Sequence, residues 1–114
     1  MRIPTAELEH VSKVLEAYAE AKIPHHVRDQ VQLGYRIEGV HVFLLERRPG
    51  WDQPEPWTEL EVAKFRYYVN RGEWVLSWAD RNVKWHRYDL IPPSRIFEDL
   101  LDEVERDPTC IFWG

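Results

Sequence analysis

The hydrophobic period changes at Gln32, and that change limits the folds open to the chain. Before it, Leu8, Val11, Leu15 and Tyr18 recur at helical spacing. After it, apolar residues alternate: Leu33, Tyr35 and Ile37, then Val40, Val42 and Leu44, then Phe65, Tyr67 and Val69, then Trp74, Leu76 and Trp78. Period-two segments broken by short Gly-containing turns predict antiparallel pairing. The prolines of "IPP" (91–93) end the strands, and Ile96, Phe97, Leu100, Leu101 and Val104 then restore a helical period. The expected fold is α+β: an N-terminal helix, an antiparallel meander of about five strands, a C-terminal helix and a short hydrophobic tail.

A chain of 114 residues, 44% hydrophobic, supplies one core and not two. Residues 1–114 are therefore read as one domain, with helix and connector over 1–31, sheet over 32–90, and acidic helix and tail over 91–114. Thr5 and Ser94 are the expected helix N-caps. The longest aliphatic and aromatic run is "VFLL" at 42–45, too short for a signal or spanning segment, so a soluble, cytoplasmic protein with no membrane partner is expected. Cys110 is the only cysteine; it has no disulfide partner and no zinc-ligand spacing, and is expected as a small core residue. His25 and His26 are adjacent and their side chains diverge, so they are assigned no metal, and no cofactor is expected.

Turn positions decide which side chains share a face. Two-residue turns at Glu38-Gly39, Arg71-Gly72 and Arg81-Asn82 pair Ile37 with Val40, Tyr67 with Leu76, and Trp78 with Trp85. Trp74, Trp78 and Trp85 are then core residues, with Arg87 on their side. The opposite face acquires three rows: Lys64, Ala79 and Lys84; Arg66, Ser77 and His86; Tyr68, Val75 and Tyr88. Cations and tyrosines flanking small residues make a shallow basic trough. The acidic groups expected to relieve it are Glu46, Glu61 or the C-terminal helix.

The net charge is −5, which argues against an overall field for nucleic acid, but the charge is uneven. Residues 32–90 hold nine Lys/Arg and nine Asp/Glu, whereas residues 91–114 hold two and six. Three functional readings follow. The leading one is a non-enzymatic interaction or structural module, homodimeric if Phe43, Leu45, Leu60 and Val62 share the basic face and need cover. The second is an anion-binding module for nucleic acid or a phosphorylated ligand. In it Lys64, Arg66, Lys84 and His86 contact phosphate, while Tyr68, Tyr88 and the loop residues Trp51 and Trp57 stack on rings. The third is a hydrolase-like enzyme with His86 as base and Ser77 as nucleophile; it lacks an orienting carboxylate and a nucleophile elbow, and no catalytic residue is assigned.

"ERRPGW" at 46–51, "VAKFRYY" at 62–68, "EWVLSW" at 73–78, "KWHRY" at 84–88 and the ending "DPTCIFWG" form an ordered series. That series resembles a family of small bacterial proteins known as a domain of unknown function. It covers roughly residues 40–114 and leaves the N-terminal helix outside. The resemblance implies a bacterial, cytoplasmic protein. It implies no activity, cofactor or catalytic residue.

Overall fold

The computed structural model describes residues 2–53 and 55–113; Pro54 and Gly114, which belong to the loop and tail segments above, lie outside it. Helix α1 (Thr5–Lys22) leads through a one-turn 3-10 helix (His25–Val27) into strands β1 (Gln32–Glu38), β2 (His41–Arg48), β3 (Thr58–Tyr68), β4 (Glu73–Ala79) and β5 (Trp85–Arg87), and α2 (Phe97–Arg106) follows. The strands pair antiparallel in the order β1-β2-β3-β4-β5. The fold is the expected α+β meander between two helices.

Both helices pack on one face of the sheet. Phe97 of α2 packs against Phe65 (ring centroids 4.7 Å apart, tilted) and Trp74 (5.1 Å, edge-on), and the Trp74 indole Nε1 donates to Glu7 of α1 at 2.8 Å. The helices are tied to each other by His10 to Glu98 (2.9 Å), Tyr18 to Glu105 (2.7 Å) and Lys22 to Glu105 (2.8 Å). Val11, Leu15, Val42, Leu44, Phe65, Trp74, Leu76, Phe97, Leu100 and Val104 are buried between the layers. Each large apolar side chain removed from water there contributes about 1.5–3 kcal/mol. Because α2 lies on this side, its carboxylates do not reach the other face of the sheet.

The first two hairpins differ from expectation by two residues, which preserves every face. The turns are Gly39-Val40 and Val69–Gly72, so Ile37 pairs with Val42, and Tyr67 with Trp74. Gly39 and Gly72 hold positive φ of 60° and 63°, a region glycine enters without a Cβ clash.

The third hairpin differs by one residue, and one residue reverses a strand. Its loop is Arg81-Asn82-Val83, not Arg81-Asn82. The Asp80 Oδ1 accepts from the Asn82 and Lys84 N–H groups (2.8 and 3.0 Å), Asp80 N–H donates to the Lys84 carbonyl (2.9 Å), and Val83 takes φ 61°. Consequently Ala79 pairs with Trp85, Trp78 with His86, and Ser77 with Arg87. Trp85 and Arg87 face away from the helices, whereas Lys84, His86 and Tyr88 do not belong to that face. Val83 is β-branched, 68% exposed, and in left-handed backbone that disfavours it. Val83→Gly is therefore expected to raise stability by about 1 kcal/mol in urea unfolding; an unchanged or lower midpoint would contradict strain at this loop.

A bulge in β3 separates the proposed apolar patch. Leu44 pairs with Ala63 but Leu45 with Glu61, leaving Val62 as the extra residue. Phe43 and Leu45 stay on the helix-free face, while Val62 enters the main core and Leu60, opposite Glu46, moves to the helix side. The four residues expected as a dimer surface thus divide between two faces.

The termini also differ in detail. Pro4, not Thr5, is the N-cap of α1, and Ile96, not Ser94, that of α2. Ser94 instead joins the sheet through two backbone bonds to Trp74 (2.7 and 3.1 Å). The tail is turned back on the end of α2. The Asp107 carboxylate accepts from Phe112 N–H (3.0 Å) and Trp113 N–H (2.8 Å), which seats Phe112 against Tyr88. Cys110 sits on the outside of this turn, exposed and at φ 61°, so it is not a core residue.

Candidate functional site

The helix-free face is built by strand alternation. One row crosses all five strands: Arg36, Phe43, Lys64, Ser77 and Arg87. The adjoining row toward the turns is Glu38, His41, Arg66 and Val75. Ser77 and Ala79 are small, so the Trp85 ring lies inward from β5 instead of being held off the sheet. Its centroid is 5.9 Å from the Phe43 ring, edge-on, and 5.1 Å from the Lys64 Nζ, while the Arg36 guanidinium lies 4.7 Å from Phe43. Nearer the turns, the guanidinium groups of Arg66 and Arg71 lie 4.5 and 4.6 Å from the Tyr68 ring. Such cation–ring contacts hold flat guanidinium and aromatic surfaces in place together. Leu45 and Val75 are buried on this side, outside the main core cluster.

The face is unevenly neutralised. Arg36 pairs with Glu38 and Glu61, Arg47 with Glu59, and Arg71 with Glu73. Among the described residues no carboxylate forms an ion pair with Lys64, Arg66 or Arg87. Glu61 is thus engaged by Arg36, and the acidic helix pairs with α1 on the other side. The protein's negative charge lies mainly in the helix layer, where α1 and α2 carry nine carboxylates against three Lys/Arg, an excess of six. A net charge of −5 therefore does not describe the sheet face.

His41 records the local field. Burial first, and then the charges of Lys64 and Arg66, hold its imidazole below the ordinary value of 6.5. The unfolded chain accordingly binds a proton near pH 6.5 that the fold resists. This contribution to stability is full above that pH and is lost as pH falls through the lower folded pKa. His41→Gln is expected to flatten this part of the stability profile between pH 7.5 and 5.5; an unchanged slope would contradict the assignment. Beside His41 a shallow pocket of about 690 Å³ opens at the turn end of the sheet, lined by Glu38, Arg66, Tyr68, Asn70 and Arg71 among others.

Of the sequence-predicted site residues, Lys64, Arg66 and Tyr68 share this face. Lys84 is exposed at the start of β5 and out of register with it. His86 stacks on Trp78 (4.8 Å) and bonds Asp80 (2.7 Å), a contact that leads the causes holding the Asp80 carboxyl below its usual range. Ser77 and His86 therefore point to opposite faces and make no nucleophile–base pair. Tyr88 is buried; its hydroxyl donates to Glu103 at 2.6 Å, and burial followed by that carboxylate pushes its pKa up to about 12. Trp51 (96% exposed) and Trp57 lie in the β2–β3 loop, at the opposite end of β3 from Tyr68. Arg36, His41, Arg71, Trp85 and Arg87 enter the site unexpectedly. For Trp85 and Arg87 the available signal was Asp80, whose side chain favours a longer turn. Among the described residues no three His, Cys, Asp or Glu side chains form a metal-binding group, and no helix is long and apolar enough to cross a membrane.

Fold and site together define an α+β protein with two helices on one face of an antiparallel sheet and a cationic, aromatic surface on the other. The chain belongs to the family described as Domain of unknown function (DUF3024), whose model matches residues 3–114 and so takes in α1 as well as the motifs. No curated protein and no solved structure matches it.

Proposed function

We propose that this protein is a non-enzymatic binding module, acting in the bacterial cytoplasm, whose helix-free sheet face takes an anionic ligand bearing flat rings. The observation that carries this reading is the conjunction of Lys64, Arg66 and Arg87, which form no ion pair with a carboxylate among the described residues, with the rings of Phe43, Tyr68 and Trp85. Cations beside rings on a sheet suit phosphate contact combined with stacking. The like charges around His41 are relieved when an anion arrives, which adds to the driving force.

The reading is tested by fluorescence anisotropy against labelled nucleotides and oligonucleotides at low and physiological salt. Saturable, salt-weakened binding is expected. Arg87→Ala should weaken it several-fold and Lys84→Ala should leave it unchanged, because only Arg87 faces the site. No saturable binding, or equal losses in the two variants, would overturn the reading.

A further inference from the structure

Resting on that reading, we infer that the ligand is a single strand of nucleic acid lying across the sheet, not a mononucleotide or a duplex. The site has two separate ring platforms. One is Tyr68 with the Arg66 and Arg71 guanidinium planes. The other is Phe43 and Trp85, with Lys64 over the indole. Phe43 pairs with Lys64, four residues before Tyr68 on β3. Four strand residues span ~13 Å at ~3.3 Å each. That is the length of about four stacked nucleotides at ~3.4 Å each, or fewer when bases are splayed.

One nucleotide engages one platform and leaves the other empty. A strand reaches both, with Lys64 at the Phe43–Trp85 platform, Arg66 two residues further along β3 toward Tyr68, and Arg87 continuing the Lys64 row beyond Ser77 to meet its phosphates. A duplex offers phosphates but keeps its bases stacked on one another, unavailable to Phe43, Trp85 and Tyr68. Rings and guanidinium planes accept every base, so weak sequence preference follows. Lys64, Arg66 and Arg87 contact phosphate, which DNA and RNA share.

The experiment measures the affinity of the unmodified protein for thymidine monophosphate, for fluorescein-labelled octathymidylate and octauridylate, for an eight-base-pair duplex, and for inorganic polyphosphate as competitor. The octanucleotides are expected to bind at least tenfold more tightly than the mononucleotide and the duplex, and to resist polyphosphate matched in charge. Tighter octauridylate assigns the strand to RNA, tighter octathymidylate to DNA, and parity to both; each supports the inference. Tyr68→Ala and Trp85→Ala should each weaken octanucleotide binding at least about fivefold, with the circular dichroism spectrum preserved. A mononucleotide that binds as tightly as the octanucleotides overturns the single-strand assignment and leaves the reading of a ring-bearing anion standing; a duplex that binds as tightly, or polyphosphate that displaces them at equal charge, means that ring contacts add nothing and overturns both. Failure of every probe to bind overturns both.

Discussion

Changing Lys64, Arg66 and Arg87 together to alanine is expected to abolish measurable oligonucleotide binding while leaving the fold intact. Each side chain lies on the helix-free face, and none is held by a carboxylate among the described residues, so its removal strands no buried opposite charge. The loss should carry a specific salt signature. Three phosphate contacts at ~0.7 each account for a reduction of about 2 in the slope of log affinity against log salt for a single strand. Single variants should therefore retain weakened binding with intermediate slopes. His41 supplies an independent reading in the same variant. With Lys64 and Arg66 gone, two of the influences that depress its imidazole disappear, and its titration should move toward the ordinary value of 6.5. Retained affinity, or lost affinity with an unshifted His41, would contradict the proposed electrostatics.

The largest loss of stability is expected from Trp74→Ala. The side chain is fully buried, its ring packs on Tyr67 (4.9 Å) and Phe97 (5.1 Å), and its indole N–H reaches Glu7. It therefore joins the sheet to both helices. Removing it costs about 3–5 kcal/mol, a large share of the ~5–15 kcal/mol by which domains of this kind are stable. Trp74→Phe keeps most of the packing and loses the bond to Glu7, which solvent can satisfy, so about 1 kcal/mol is expected. Urea unfolding of the two variants separates packing from hydrogen bonding. Equal losses would mean that the Glu7 contact, and not ring burial, dominates.

Much of the architecture was legible because hydrophobic periodicity reports burial directly. Leu8, Val11 and Leu15 specify a helix, and the alternation through Phe65, Tyr67, Trp74 and Leu76 specifies the inner face of the sheet, even though the register of the first two hairpins differs from expectation by two. Parity forgives errors of two and not errors of one. The Asp80 turn inserted a single residue, and that exchanged Lys84, His86 and Tyr88 for Trp85 and Arg87 on the outer face. The β3 bulge did the same to Leu60 and Val62. Neither feature has a hydrophobic signature, since each depends on backbone hydrogen bonds to one side chain or on one unpaired residue. The placement of both helices on one face was also hidden. An amphipathic pattern says that a helix covers something, but the choice of face came from contacts distant in sequence, such as Glu7 with Trp74 and Phe65 with Phe97.

The central claim is that ligand meets the helix-free face, and chemical-shift mapping tests it most directly. On titrating isotopically labelled protein with octathymidylate, the largest shifts are expected at the Trp85 indole N–H, the backbone of Phe43, Lys64, Ser77 and Arg87, and the His41 ring. Trp78, His86 and the residues of α2, on the other side of the sheet, should remain near their free positions. Shifts centred on Trp78, His86 or α2, or no shifts at millimolar ligand, would contradict the claim.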